Sequence, residues 1–224
     1  MLVVLASPRD TAAERLAARW AGQGAALLTP TDLSRPGWCF DPAAPARGIA
    51  VIAGRRTPVR AIRGVLTRLP AVFASDLPHI VAADLAYVAE EMSAFLLAWL
   101  SSLRCPVVNR PVPPSLAGPN WRQAQWVYAA VRAGLRASHP SDSGAESDAQ
   151  TAIVLGGRCL SVVESSLAKR IERLAALADV SLLAVRLSGT GATARFAAAD
   201  PWPDPSPPEV ADALLRYFES CGRC

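Results

Sequence analysis

The residues best suited to ligand chemistry lie in and beside one loop, residues 109–122. This loop combines amide groups, guanidinium groups, an aromatic ring and a backbone constrained by Pro and Gly, and it follows a short apolar run typical of a strand. Open α/β sheets place their ligand crevices at the carboxyl ends of such strands. The candidate ligand-binding residues are Arg68, Glu91, Asn109, Arg110, Asn120, Trp121 and Arg122.

Arg110 and Arg122 are the groups in this loop that could hold a carboxylate, because a guanidinium group binds a carboxylate through two parallel hydrogen bonds. Arg122 also opens a predicted helix, whose first N–H groups and dipole favour an anion. The alternative interpretation is a rigid crossover loop that Trp121 anchors in the core, since pocket-lining and structural loops share this composition. The sequence supports both interpretations.

Arg68 and Glu91 are candidates because of the elements that carry them. Arg68 lies at the end of an apolar strand that we expect to run parallel to the strand before Asn109, so both residues would emerge at the same sheet edge. Glu91 lies at the edge of the apolar stripe of a long predicted helix, where a carboxylate would be partly buried. It could contact a ligand, or it could form a structural ion pair with Arg68 or Arg110.

The sequence contains no convincing catalytic or metal-binding motif. Cys221 and Cys224 have the CxxC spacing of a redox pair or half a zinc site, but no second CxxC and no nearby histidine complete four ligands, which favours an exposed tail. His79 and His139 lie far apart without partner cysteines. The GxSxG and GxxxxGK[ST] patterns do not occur. We therefore predict no catalytic residue, no metal site and no cofactor.

The composition indicates a packed globular protein, with 51% hydrophobic and 19% charged residues among 224. The formal charge of +4 comes from arginines scattered along the chain, with Lys169 as the only lysine. A nucleic-acid surface needs clustered basic charge, so we expect no nucleic-acid partner. No apolar run reaches the ~20 residues of a membrane span, and the start of the chain lacks the features of a secretory signal. Five widely spaced cysteines form no disulfide framework, so we expect a cytoplasmic protein without a membrane partner.

The apolar pattern predicts the α/β class with a Rossmann-like opening. Residues 2–6 and 25–28 are predicted strands on either side of a helix that Asp10 or Thr11 can cap. The longest predicted helix covers residues 84–103 and has a 3.6-residue apolar period. The remaining predicted strands cover residues 49–53, 57–59, 65–69, 105–109, 152–155, 159–163, 181–187 and 194–198. The remaining predicted helices cover residues 122–135, 167–177 and 210–218.

Two sets of short motifs resemble a known family. The front set is the Val-Leu-Thr-Arg-Leu-Pro stretch at 65–70, the Glu-Glu-Met stretch at 90–92 and the Pro-Val-Val-Asn-Arg-Pro stretch at 106–111; the back set covers 174–178, 182–187 and 195–201. Together with the βαβ opening, they resemble the ATP-grasp superfamily, particularly the microviridin-type and glutamate-ligase-type peptide ligases. The resemblance covers most of the chain. It implies a pre-ATP-grasp domain followed by a reduced ATP-grasp-like α/β remnant.

The resemblance also implies what the chain has lost. An ATP-grasp enzyme carries a long nucleotide-binding segment with clamp lysines between these two parts, where this chain has only residues 138–150. The family's terminal motif, Phe-x-Glu-x-Asn-Pro, holds magnesium through its Glu and Asn. The corresponding stretch here has Ala198 at the Glu position and Asp200 at the Asn position. The aspartate often found on the preceding strand corresponds to Arg186, so the implied metal site is lost.

We therefore expect a pre-ATP-grasp-like Rossmann-type domain at 1–137, a linker at 138–150 and a reduced ATP-grasp C-terminal-like segment at 151–224. The expected function is that of a non-catalytic pseudo-ligase that binds a peptide or carboxylate ligand. It would be an accessory subunit beside a protein partner, such as a full-length ATP-grasp or other biosynthetic enzyme, in a peptide-modifying or natural-product pathway. Two alternatives are an enzyme that uses residues 109–122 without nucleotide, and a purely structural subunit of a complex.

Residues 138–150 should be the first internal site of cleavage in limited proteolysis. The segment concentrates Ser, Asp, Glu and Gly and lacks apolar anchors. We expect two fragments that stay associated on a sizing column, with the cut located by mass spectrometry. Early cleavage inside the predicted helix at 84–103, with this segment protected, would contradict the expected domain boundary.

Overall fold

A computed structural model describes residues 1–137 and 149–221 of the chain. Two compact units are present: Met1–Gly118 together with the segment that begins at Asp204, and Pro119–Pro203. The strands and helices, in chain order, are β1 (Leu2–Leu5), α1 (Thr11–Arg19), β2 (Ala25–Leu28), α2 (Pro30–Leu33), β3 (Ile49–Ile52), β4 (Arg55–Pro58), β5 (Gly64–Thr67), α3 (Leu85–Ser102), β6 (Val107–Val108), α4 (Gln123–Arg132), β7 (Arg136–Ala137), β8 (Ala149–Leu155), β9 (Arg158–Cys159), α5 (Ser165–Leu177), β10 (Leu182–Ser188), β11 (Arg195–Asp200) and α6 (Pro208–Cys221).

The first unit is built on a four-stranded parallel sheet with the order β2-β1-β5-β6. Every residue of β1 and β5 is buried, as expected of short apolar strands covered on both faces. Helix α1 connects β1 to β2, and its first turn is capped by Asp10, whose Oδ1 accepts a hydrogen bond from the Ala13 N–H at 3.0 Å. This βαβ opening confirms the predicted α/β class.

A separate β-hairpin, β3 and β4, lies between α2 and β5 in the chain. Its two-residue turn is Ala53-Gly54, and both residues have positive φ, 49° and 73°. Two consecutive left-handed residues match the right-handed twist of the flanking strands, which is why tight hairpins favour them. The turn therefore lies where the predicted strands at 49–53 and 57–59 meet.

The core of the first unit collects side chains from its sheet and from α3. Trp99 and Leu100 of α3 are buried against residues of β1, β3, β5 and β6. Helix α6 belongs to the same unit: Phe218 makes an edge-to-face contact with Trp20, at 6.2 Å between ring centroids, and its ring lies against Gly64. Gly64 is needed here because it leaves room for that ring.

The second unit is a five-stranded sheet with the order β7-β11-β10-β8-β9. Strand β10 pairs antiparallel with β8 and with β11, and β7 adds to β11 in parallel. Alternate residues of β10, Leu183, Val185 and Leu187, are buried in one cluster with apolar residues of α4 and α5. One face of the sheet is thus covered by the two helices.

The unit boundaries differ from the division expected from the sequence. Helix α4 lies in the second unit because Trp126 and Ala130 are buried in that unit's core, whereas α6 lies in the first unit. Strand β8 begins at Ala149, inside the expected linker, because its pairing with β10 extends to Ser188. The rest of the expected linker, residues 138–148, lies outside the described residues.

Within the described part of the chain, none of the helices combines the length and apolar character that a membrane span requires.

Substitution of Gly64 by Ala should destabilise the first unit. A Cβ atom at this position would overlap the ring of Phe218, and overpacking of this kind costs about 1–3 kcal/mol. Gly22→Ala is the matched control, because a Cβ there meets nothing within 4 Å. Urea unfolding should show a lower midpoint for Gly64→Ala only; equal midpoints for the two variants would mean that Phe218 does not pack as described.

Candidate functional site

Strands β5 and β6 are parallel neighbours, with Val65 opposite Val107 and Leu66 opposite Val108. This register confirms the predicted arrangement of the two strands. The residues that follow them, Arg68 and Asn109, therefore leave the sheet at its carboxyl edge, where open α/β sheets place ligand sites.

Arg68 forms an ion pair inside the first unit. Its Nε donates to Asp10 Oδ2 at 2.8 Å, and both side chains are largely buried. The other oxygen of Asp10 caps α1, so a single carboxylate holds together the end of β5 and the start of α1. The positive charge of Arg68 is thus balanced by an internal partner rather than requiring one from a ligand.

Arg68 also contributes to the electrostatics at Asp204. The Ser206 hydroxyl donates a hydrogen bond to Asp204 Oδ1 at 2.7 Å. This bond is the main reason that the pKa of the Asp204 carboxyl lies below its usual range, and the charges of Arg68 and Arg15 lower the pKa further. Arg68 is therefore paired with Asp10 and also acts at longer range on Asp204, two carboxylates of its own unit.

Asn109 and Arg110 hold the start of the predicted loop in place. Asn109 is buried and has φ +53°, a left-handed conformation that asparagine tolerates better than most residues. Arg110 is exposed, and its Nη2 donates to the carbonyls of Leu103 and Cys105, both at 3.3 Å. These contacts favour the structural interpretation for this end of the loop.

The remainder of this stretch is also tied back to the first unit. The backbone N–H of Val112 donates to the carbonyl of Ser115, and the N–H of Ser115 donates to the carbonyl of Val112, both at 2.8 Å. The Leu116 N–H donates to the Pro70 carbonyl, also at 2.8 Å. Gly118 has φ +86°, and a Cβ atom at this position would lie only 3.0 Å from Asn109 Cβ, so a side chain there would press on Asn109. Residues 109–118 thus form a rigid crossover.

Glu91 is exposed, so the prediction that it is partly buried is wrong. The buried residues of α3 are Ala89, Leu96, Trp99 and Leu100. Glu91 lies roughly 140° around the helix from Leu96, which places it away from that face. The apolar stripe read from the sequence was centred on residues such as Val88 that are only half-buried. The suggested ion pair does not form either, since Arg68 pairs with Asp10.

The other three candidates, Asn120, Trp121 and Arg122, belong to the second unit and precede α4. The backbone N–H of Arg122 donates to Gln125 Oε1 at 2.9 Å, which fixes the start of the helix. Gln123 Nε2 donates to the Ala197 carbonyl at 2.7 Å, so the first turn of α4 is also tied to β11. The Arg122 side chain is exposed.

Asn120 and Trp121 line a pocket of about 200 Å³ in this unit. The structure adds residues that the sequence did not suggest as ligand contacts, notably Trp126 and Trp202, and it brings Asp200 to the same place. One signal for them was present, because Trp202 follows Asp200-Pro201 directly and Trp126 lies about one helical turn beyond Arg122. The full lining is Pro119, Asn120, Trp121, Gln123, Trp126, Ala199, Asp200, Pro201 and Trp202.

The positions at which the resemblance implied metal ligands are direct neighbours in this sheet. Arg186 of β10 lies opposite Ala198 of β11, and directly opposite residues in an antiparallel pair share one face. Asp200 offers a single carboxylate, and its Oδ1 already accepts the Trp202 N–H at 2.8 Å. In residues 1–137 and 149–221, no group of three or more His, Cys, Asp or Glu side chains could hold a metal ion. These residues do not fit a magnesium site.

Comparisons with known proteins identify the fold. No family model and no curated protein sequence matches the chain. Among solved structures, the ATP-grasp ligase PsnB in complex with a minimal precursor is similar over 98% of this chain and 97% of its own, with 11% identity and a TM-score of 0.67.

Two further structures give the same result. The macrocyclase MdnC of Microcystis aeruginosa MRC, bound to precursor peptide MdnA, matches over 96% of this chain and 99% of its own, with 11% identity and a TM-score of 0.66. A RiPP-associated ATP-grasp ligase of Chryseobacterium gregarium matches over 99% of this chain and 94% of its own, with 8% identity and a TM-score of 0.63. The chain therefore has the fold of ATP-grasp ligases, as the resemblance of its motifs implied; identities this low establish the fold alone.

Arg110 and Arg122 should differ in their effect on stability. Arg110→Ala removes two hydrogen bonds to carbonyls and should cost about 1 kcal/mol of unfolding free energy. Arg122→Ala removes an exposed side chain and should stay within about 0.5 kcal/mol of the parent protein. Chemical denaturation of the two variants measures the difference. Equal losses would show that Arg122 has a structural role as well.

Proposed function

We propose that this chain is a non-catalytic ATP-grasp-like protein, a pseudo-ligase that binds a peptide or carboxylate ligand. In this proposal it works as an accessory subunit in a peptide-modifying or natural-product pathway. The observation that carries the proposal is the pairing of Arg186 with Ala198 in a chain that has the fold of ATP-grasp ligases. The strands are retained, while the side chains at their metal-binding positions have a different chemistry.

The argument against ligation begins with charge. Magnesium in nucleotide sites is held by one or two carboxylates together with the substrate phosphates. Here Arg186 occupies the position of one expected carboxylate and Ala198 occupies the position of the other, so a divalent cation would be repelled and would lack ligands. A polyphosphate clamp also needs fixed cations or a nest of backbone N–H groups. The only lysine, Lys169, is exposed on α5.

The argument for a peptide ligand rests on the structural relatives and on α4. PsnB and MdnC were both solved with precursor peptides. At the start of α4, the exposed Asn120 and Arg122 offer an amide and a guanidinium group, and the half-buried Trp121 offers an aromatic surface. We assign the ligand contacts to these three residues. Arg68 and Arg110 hold their own unit together, Asn109 is buried in it, and the exposed Glu91 is left outside the proposed site.

A protein partner follows from the same proposal. If this chain binds a peptide without activating a carboxylate, the ATP-dependent chemistry must come from a separate enzyme, such as a full-length ATP-grasp ligase. Such an assembly needs neither a nucleic acid nor a membrane, and we place it in the cytoplasm.

Calorimetric titration with ATP and magnesium tests the proposal. We expect no measurable binding, and a thermal shift below about 1 °C at millimolar nucleotide, because a ligand that does not bind the folded state does not stabilise it. PsnB, which has been solved with magnesium and ADP, is the positive control. Micromolar binding by this chain, or release of phosphate from ATP, would contradict the pseudo-ligase assignment.

A further inference from the structure

The pocket at the start of α4 has an unusual lining for its size. Three of the six tryptophans of the chain, Trp121, Trp126 and Trp202, contribute to it. The rings of Trp121 and Trp126 lie 4.8 Å apart between centroids and are tilted by 57°, so the two rings pack against each other at an angle. Among the residues that line the pocket, Asp200 is the only ionisable one. We call this feature the tryptophan pocket.

The walls of the pocket are held by contacts within the second unit. Trp126 is 3% exposed and packs in the core of that unit, so its ring has little freedom. The hydrogen bond from Gln123 Nε2 to the Ala197 carbonyl connects the helical wall to β11. At the end of β11, Asp200 Oδ1 accepts a hydrogen bond from the backbone N–H of Trp202, which fixes the carboxylate relative to the strand. A pocket held in this way needs little rearrangement to receive a ligand.

We infer that the tryptophan pocket binds an organic cation, namely the guanidinium or ammonium head of an arginine or lysine side chain. The faces of aromatic rings attract cations, and tryptophan does so most strongly. The second carboxylate oxygen of Asp200 can accept a charge-assisted hydrogen bond from the same head group. The inference depends on the proposed function only in taking a peptide as the carrier of that side chain.

Other classes of ligand suit the pocket less well. A metal ion would find one carboxylate and no other anionic ligand among the lining residues. An anion would approach the negative charge of Asp200 without a lining cation to offset it. An uncharged apolar side chain would contact the rings but would gain nothing from the charge of the exposed Asp200.

The N-terminus of α4 acts against a cation and must be weighed. Its dipole is equivalent to about half an elementary charge, and it falls off within the first turn. One N–H at this end, that of Arg122, is already bonded to Gln125 Oε1. The negative charge of Asp200 and the tryptophan faces therefore outweigh the helix dipole, and the preferred ligand is positively charged.

Titration with capped amino acids tests this inference without nucleotide or a peptide partner. The probes are Nα-acetyl amides of arginine, of norleucine as the uncharged analogue, and of glutamate as the anion. The indole N–H signals in a ¹⁵N–¹H spectrum report on the site. We expect the arginine probe to shift the signals of Trp121, Trp126 and Trp202 saturably. The other two probes should bind about fivefold more weakly, which is the upper range for one exposed ion pair.

Two variants and a matched control sharpen the experiment. Asp200→Asn keeps an oxygen for the Trp202 N–H and removes the charge, so the arginine probe should bind about fivefold more weakly. Trp121→Leu should weaken binding of the arginine probe about tenfold, because the variant lacks one of the aromatic ring faces. Asp179→Asn removes an exposed carboxylate of the same unit that does not line the pocket, and it should leave binding unchanged.

The outcomes separate this inference from the proposed function. Equal or tighter binding of the glutamate probe, an unchanged affinity in Asp200→Asn, or no saturable shift with the arginine probe at tens of millimolar would overturn the tryptophan pocket as a cation site. None of these results bears on the nucleotide titration. If the arginine probe binds as expected while ATP also binds, the pocket stands and the pseudo-ligase assignment falls.

Discussion

The arrangement of the second unit depends on the position of β10 between β8 and β11. Because side chains alternate along a strand, this double pairing places Leu183, Val185 and Leu187 under the helices and Arg186 on the other face. The same ladder then sets Ala198 opposite Arg186. A shift of one residue in this register would exchange the two faces, so the pairing of Arg186 with Ala198 and the integrity of the core depend on one constraint.

The first unit shows how arginines can be needed for structure rather than for a ligand. Arg68 connects the end of β5 to the carboxylate that caps α1, and Arg110 donates to carbonyls near the end of α3. Both lie where α/β proteins often bind ligands, and both have partners within the protein. Topology alone therefore overstates the chance that a polar residue at a sheet edge contacts a ligand, because sheet edges and helix ends have their own hydrogen-bonding needs.

The fold and the side chains give different information about function. The backbone arrangement is that of enzymes solved with precursor peptides, yet the residues at the end of β11 combine one carboxylate with tryptophan rings. A sheet that is stabilised by its apolar face can exchange the side chains of its other face at little cost to stability. This separation of fold and site chemistry is the physical basis of our proposal that the chain binds a ligand without catalysing ligation.

The sequence by itself determined the class of the fold and the position of most elements. The apolar runs at 2–6 and 25–28 and the pattern of α3 predicted strands and a helix close to those observed, because burial and periodicity are local properties. The motif comparison also identified Arg186 and Ala198 as unsuitable for a metal before their pairing was known.

Only the tertiary structure decided how the candidate residues are used. The partner of Arg68 is Asp10, 58 positions away in the chain, and no local pattern specifies such a contact. The exposure of Glu91 depends on which side of α3 meets the sheet, which the broad apolar surface of that helix left undetermined. Trp126 and Trp202 come together because α4 packs beside β11, and packing between distant segments cannot be read from the spacing of residues along one chain.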